Sequence, residues 1–165
     1  MIGGQALEYP TERRERVHGP LGYADYKSFK PWLRDEFYFR CVYCLWREAW
    51  CADGDGSFGI DHFRSRALHP ELSCDYDNLV YACCQCNSIK QDNRLPVDPC
   101  EDGWGTHLLS IPDGTVRGIT AEGRQTIEIC RLNRPALVQA RWRMRQLLEQ
   151  LDAWTAEEAK SLLRE

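Results

Sequence analysis

Two cysteine pairs, Cys41-Val-Tyr-Cys44 and Cys83-Cys84-Gln-Cys86, have the CxxC spacing at which two thiolates from one turn reach the same ion. Together they supply four sulfurs, the full set for a tetrahedral zinc with bonds of about 2.3 Å. A closed four-thiolate site has no open position for substrate, so such an ion fixes a fold rather than performing chemistry. Redox chemistry would use only two of the four sulfurs, and neither pair lies in a thioredoxin-like βαβ pattern. Using Cys84 in place of Cys83 would shorten the second pair to CxC, so Cys84 joins Cys51, Cys74, Cys100 and Cys130 as reduced thiols.

Between the pairs stand Ile60-Asp61-His62-Phe63 and Asn78-Leu79, and Asn87 and Lys90 follow the last cysteine. This order resembles the zinc-stapled HNH endonuclease family, whose pattern is C-x-x-C, a D-H pair on a first strand, N-L on a second, then C-x-x-C-[H/N]-x-x-K. The resemblance covers residues 41 to 90. It implies an α+β protein with a ββα-metal (His-Me finger) core stapled by a four-cysteine zinc and followed by a helical C-terminal part. It also implies cleavage of DNA phosphodiesters with His62 as general base, Asp61 and Asn87 holding a catalytic cation, and Asn78 tying the loop between the strands. Phosphodiester hydrolysis needs an activated water, charge stabilisation at the phosphoryl group and help for the leaving alkoxide. An imidazole with an ordinary pKa of about 6.5 is largely a neutral base at pH 7. An amide oxygen with a carboxylate is a hard, oxygen-only set, which points to Mg²⁺ or Mn²⁺ rather than a second zinc. Lys90, one helical turn after Asn87, is expected on a backbone phosphate, as are Arg64 and Arg66 just after the base. Here His62 is followed by Phe-Arg-Ser-Arg where the family often reads D-H-x-x-P-x-S. The rival readings are a non-catalytic zinc module that binds nucleic acid or a protein partner, and a cysteine-based redox protein.

The elements that must position these residues fit in one domain of 165 residues. Residues 1–40 read as an N-terminal arm with a short helix near Tyr23 to Arg34, and residues 41–95 as the nuclease core. There DEFYFRCVYCLW is a strand or turn, FGIDHF and NLVYAC are strands, and CNSIKQDN opens a helix. The DGDG run at Asp53 to Gly56 has Arg64 where a calcium loop places its last glutamate, so it reads as a turn. His18, His69 and His107 read as solvated or satisfied histidines. Residues 96–165 extend the same domain with a hairpin over HLLSI-PDG-TVRG, then a helix capped by Thr120 from Ala121 to about Leu132, with Ile127, Ile129 and Cys130 buried. A second helix starts near Pro135, and Thr155 with Glu158 forms the capping box of a third.

Composition narrows the partners. With 21 Lys+Arg against 25 Asp+Glu the net charge is −4, so the chain lacks a global basic footprint and any nucleic-acid contact is local. Residues 41–90 carry Arg47, Arg64, Arg66 and Lys90 against Glu48, Asp53, Asp55, Asp61, Glu71, Asp75 and Asp77. The most basic stretch is Arg131, Arg134, Arg141, Arg143 and Arg145, so Arg141 and Arg145 are expected on phosphates, against the plainer reading of a solvated helix face packed by Leu137, Met144 and Leu148. Asp98-Pro99, the G-T-V-R-G hairpin and T-I-E-I-C-R-L-N-R-P-x-L-V-x-x-R are similar to the C-terminal part of small bacterial HNH proteins, including those encoded beside ATPases or retrons in anti-phage loci. That likeness implies a defence role with an ATPase or a homodimer mate as partner; low intrinsic sequence preference is expected because the active centre grips the backbone and a chain this short has no evident second module for base readout. No apolar run reaches the roughly 18–20 residues of a membrane span and the N-terminus lacks a secretory apolar region, so a cytoplasmic protein is expected.

Overall fold

Phe58–His62 (β1) and Leu79–Cys83 (β2) pair antiparallel, with Asp61 opposite Val80 and His62 opposite Leu79. The computed structural model describes residues 6–151. β2 reads as an unbroken apolar run and is buried along its whole length, because Lys30–Glu36 (α1) packs on it and aromatic side chains close both its faces. Tyr81 of β2 stacks on Phe58 of β1 with ring centroids 5.4 Å apart.

Cys84–Lys90 (α2) leaves β2 directly and packs back on β1. It buries Cys86 and Lys90, four residues apart on one face. Its first turn is capped by the sulfur of Cys83, which accepts from the Cys86 amide at 3.4 Å. The first cysteine pair sits in a turn rather than a strand. Leu45 takes a left-handed φ of 63°, its amide bonds the Cys41 carbonyl at 3.0 Å, and the Val42 amide bonds the Tyr81 carbonyl of β2 at 2.9 Å.

The N-terminal arm is docked. Leu7 and Tyr9 are core residues, the Tyr9 hydroxyl bonds the Tyr43 carbonyl at 3.0 Å, and Gly105 N–H donates to the Pro10 carbonyl at 2.7 Å. The approach is so close that a Cβ on Gly103 would collide with the Thr11 carbonyl oxygen. Arg16 then enters the core and pairs with buried Glu36, which also accepts from the Tyr76 hydroxyl at 2.8 Å. The expected helix near Tyr23 to Arg34 begins later, as a 3₁₀ turn over Tyr26–Phe29 that runs into α1. Gly22, with φ 86°, and Asp25, whose carboxylate accepts from the Lys27 amide at 3.0 Å, set that start.

Leu108–Ser110 (β3) and Val116–Gly118 (β4) form the expected hairpin. Ala121–Ile129 (α3) starts as expected, with the Thr120 hydroxyl accepting from the Gly123 amide at 3.0 Å. It stops short of Leu132 because Arg131 adopts a φ of 46°. Gly123 and Thr126 face the core with Cys130 just beyond the helix, while Ile127 and Ile129 are half-buried. Pro135–Leu151 (α4) follows and buries Leu137, Arg141 and Leu148. The capping box at Thr155 and Glu158 lies outside the described residues.

Candidate functional site

The two cysteine pairs meet. The sulfurs of Cys41, Cys44, Cys83 and Cys86 all lie within 4.8 Å of one another, and all four residues are buried. Cys44 and Cys83 are 3.8 Å apart, close to the sulfur separation that bonds of about 2.3 Å impose in a tetrahedral zinc site. The four residues therefore fit a structural zinc. Among the described residues this is the one cluster of three or more His, Cys, Asp or Glu groups able to hold an ion. Hydrogen bonds from the other thiols pull the Cys83 thiol far below its ordinary range, while burial pushes Cys41 up. The Arg134 guanidinium donates to the Cys86 sulfur at 3.4 Å. Cys51, Cys74, Cys84, Cys100 and Cys130 are free thiols, as expected.

At the end of β1, Asp61 and His62 point to opposite faces, as neighbours on a strand must. His62 is only 8% exposed. Its Nε2 lies 3.0 Å from the Ser73 carbonyl, and a carbonyl can only accept, so Nε2 carries the proton and Nδ1 keeps the lone pair. The Tyr26 ring meets the imidazole edge-on at 4.8 Å, and Arg66 lies over that ring at 5.2 Å. Asn78 hydrogen-bonds across the loop between β1 and β2. Its Oδ1 accepts from the Arg64 amide at 2.8 Å, and its Nδ2 donates to the carbonyls of Arg64 at 3.0 Å and Leu72 at 3.3 Å.

Asp61 points inward. Its Oδ2 accepts from the Tyr43 hydroxyl at 2.6 Å and lies 3.1 Å from the Lys90 ammonium. Burial raises its pKa above the usual carboxylate range, opposed by Lys90 and the tyrosine. Asn87 donates through Nδ2 to the Ile60 carbonyl at 3.1 Å, which seats its amide one residue from Asp61 and leaves its Oδ1 as an acceptor. The oxygens that could serve a hard cation here are the second Asp61 carboxylate oxygen and the Asn87 amide oxygen. Both are hard oxygens, which fits Mg²⁺ or Mn²⁺ with water and phosphate completing the shell.

Three cations lie elsewhere than the sequence suggests. Lys90 does not reach outward to a phosphate; it is 0% exposed, and its ammonium donates to the His62 carbonyl at 2.9 Å. Arg141 is buried and donates to the Leu132 carbonyl, so the charge expected on the α4 surface serves the core. Arg145 pairs with Glu8 at 2.7 Å, because the docked arm runs past α4. Arg64 and Arg66 are exposed. Tyr26, Tyr43, Ser73 and Arg134 complete the site although nothing in the sequence singles them out, since an aromatic, a serine carbonyl or one arginine among many has no spacing to mark it. His18, His69 and His107 are satisfied by Asp35, Glu71 and Thr120, and the DGDG run is a 3₁₀ turn over Gly54–Ser57.

Residues 41–93 match the model of the HNH endonuclease family, so the stretch from the first cysteine pair to just beyond α2 is an HNH endonuclease domain. No curated protein matches the chain. No helix among the described residues is long and apolar enough to cross a membrane.

Proposed function

We propose that the chain is a metal-dependent endonuclease that hydrolyses DNA phosphodiesters with low intrinsic sequence preference, on a ββα-metal core formed by β1, β2 and α2. The observation that carries this reading is the seat of His62, whose Nε2 lies 3.0 Å from the Ser73 carbonyl and leaves Nδ1 as the nitrogen available to take a proton. Water attacks phosphorus as His62 Nδ1 takes its proton, a P–O bond to the water oxygen forms, and the bond to the leaving oxygen breaks with its electron pair going to that oxygen, which takes up a proton from solvent. Ser73 and Tyr26 hold the imidazole plane, and Asn78 fixes the loop that carries Ser73. Asp61 and Asn87 would hold a divalent cation, which when bound supplies charge neutralisation at the phosphoryl group. Arg64 and Arg66 steady the DNA backbone beside the base. A place in anti-phage defence, with an ATPase or second copy as partner, belongs to this reading on the strength of the C-terminal motifs.

Nicking of supercoiled plasmid with Mg²⁺ or Mn²⁺, against an EDTA control, tests the reading. The wild type nicks only with metal, and His62→Ala retains one zinc per chain while losing nicking by at least about 10²-fold. Wild-type-like cutting by His62→Ala refutes the base. A binding module on the same scaffold is the second reading, favoured by the low exposure of His62 under Tyr26; DNA binding without cleavage in every metal supports it.

A further inference from the structure

The most deeply buried charge in the described chain that the proposed mechanism leaves unused is Lys90. Its ammonium has three acceptors, the His62 carbonyl at 2.9 Å, Asp61 Oδ2 at 3.1 Å and the Gln91 carbonyl at 3.4 Å, matching its three N–H bonds. Two of these belong to the consecutive residues that carry the base and the carboxylate. The third belongs to the residue that ends α2, where Gln91 turns out of the helix with φ 50°. Tyr43, itself fully buried, closes the same carboxylate oxygen from the first cysteine turn.

We infer that Lys90 is a positioning residue, an internal clamp that joins the end of α2 to the end of β1 and so sets where the His62 imidazole and the second Asp61 oxygen stand. It touches no phosphate. The backbone carbonyl of His62 leaves the same residue as its imidazole, so a shift of that carbonyl by a fraction of an ångström rotates the base away from its water. Lys90 and Tyr43 both engage Oδ2, so the other carboxylate oxygen is the one they leave uncommitted. The inference rests on the nuclease reading for its effect on turnover, but the clamp itself is readable without activity.

Two measurements test it. In the wild-type protein, reductive methylation with formaldehyde followed by peptide mass spectrometry modifies exposed Lys27 and leaves Lys90 unmodified, both free and with duplex DNA. Methylation of Lys90 in the free protein, with protection by DNA, overturns the clamp in favour of a phosphate contact. In zinc-loaded Lys90→Met, kcat for nicking falls on the order of 10- to 100-fold at unchanged KM, and the slope of log affinity for DNA against log salt is unchanged. A slope smaller by about one marks a lost phosphate contact, and undiminished kcat in the folded variant marks a purely structural lysine; either result overturns the inference. If Lys90→Met does not retain zinc, Lys90→Gln, which keeps a donor for the His62 carbonyl, takes its place. A wild type that cuts in no metal sinks the nuclease reading and the positioning role with it, while the methylation result still reports whether the ammonium is internal.

Discussion

Asn78 shows how much one side chain can do when every polar atom on it is committed. It satisfies the Arg64 amide and two carbonyls across the loop between β1 and β2, so Asn78→Ala leaves these part-buried groups without their partner and costs roughly 1–3 kcal/mol. Urea unfolding of the zinc-loaded protein measures that loss. The cysteines outside the metal cluster separate by environment in the same way. Burial pushes the Cys100 thiol up to about 11, whereas Cys84 is exposed. A thiol whose pKa lies above the ambient pH is protonated and a poor nucleophile. Iodoacetamide at pH 8 therefore labels Cys84 well before Cys100, and Cys100 labelling accelerates as pH rises toward 11; equal rates at pH 8 contradict this. The residues most legible in the sequence are those whose chemistry dictates spacing, namely the cysteine pairs, Asp61-His62, Asn78 and Asn87. Lys90 and Arg141 are illegible because a cation on a helix reads as surface. What buries them are acceptors brought by tertiary structure, the carboxylate of Asp61 for one and the Leu132 carbonyl for the other.

α2 illustrates the same dependence among elements. Seven residues are too few for an isolated helix to hold in water, and its first turn is built on Cys83 and Cys86. A zinc held by the four sulfurs would therefore form one cooperative unit with the helix. Removal of the metal with a strong chelator is expected to abolish the cooperative thermal transition and lower helical ellipticity, with recovery on adding Zn²⁺; an unchanged melting curve at zero zinc content argues against a structural role for the ion. The strands, the hairpin and the Thr120-capped helix are legible because short apolar runs, a Pro-Asp-Gly turn and a hydroxyl cap are local signals. The late start of α1, the docking of the arm and the inward Thr126 face of α3 depend on partners distant in sequence. The close seat of Gly123, where a Cβ would run into the His107 carbonyl oxygen, is what turns that face inward.

On the scale of the whole molecule, 25 acids against 21 bases make DNA approach unfavourable except where cations are exposed and unspent. Arg64 and Arg66 are exposed beside His62, whereas Arg141 is enclosed and Arg145 is paired with Glu8. Arg64→Ala and Arg66→Ala are each expected to weaken DNA binding across sequences and lower the salt slope by about one, and Arg141→Ala to leave the slope unchanged while lowering the melting temperature. Fluorescence anisotropy across a salt series separates the two patterns.

The arm also gives the fold an order in time. Leu7 presents its carbonyl to the Ser110 hydroxyl, and Tyr9 packs against Trp104 with ring centroids 5.9 Å apart. On a ribosome, residues 7–9 must therefore wait, unsatisfied, until the hairpin made about a hundred residues later has emerged. β1, β2 and α2 are translated before that hairpin, so a product that stops short of residue 108 carries the proposed site without its finished support.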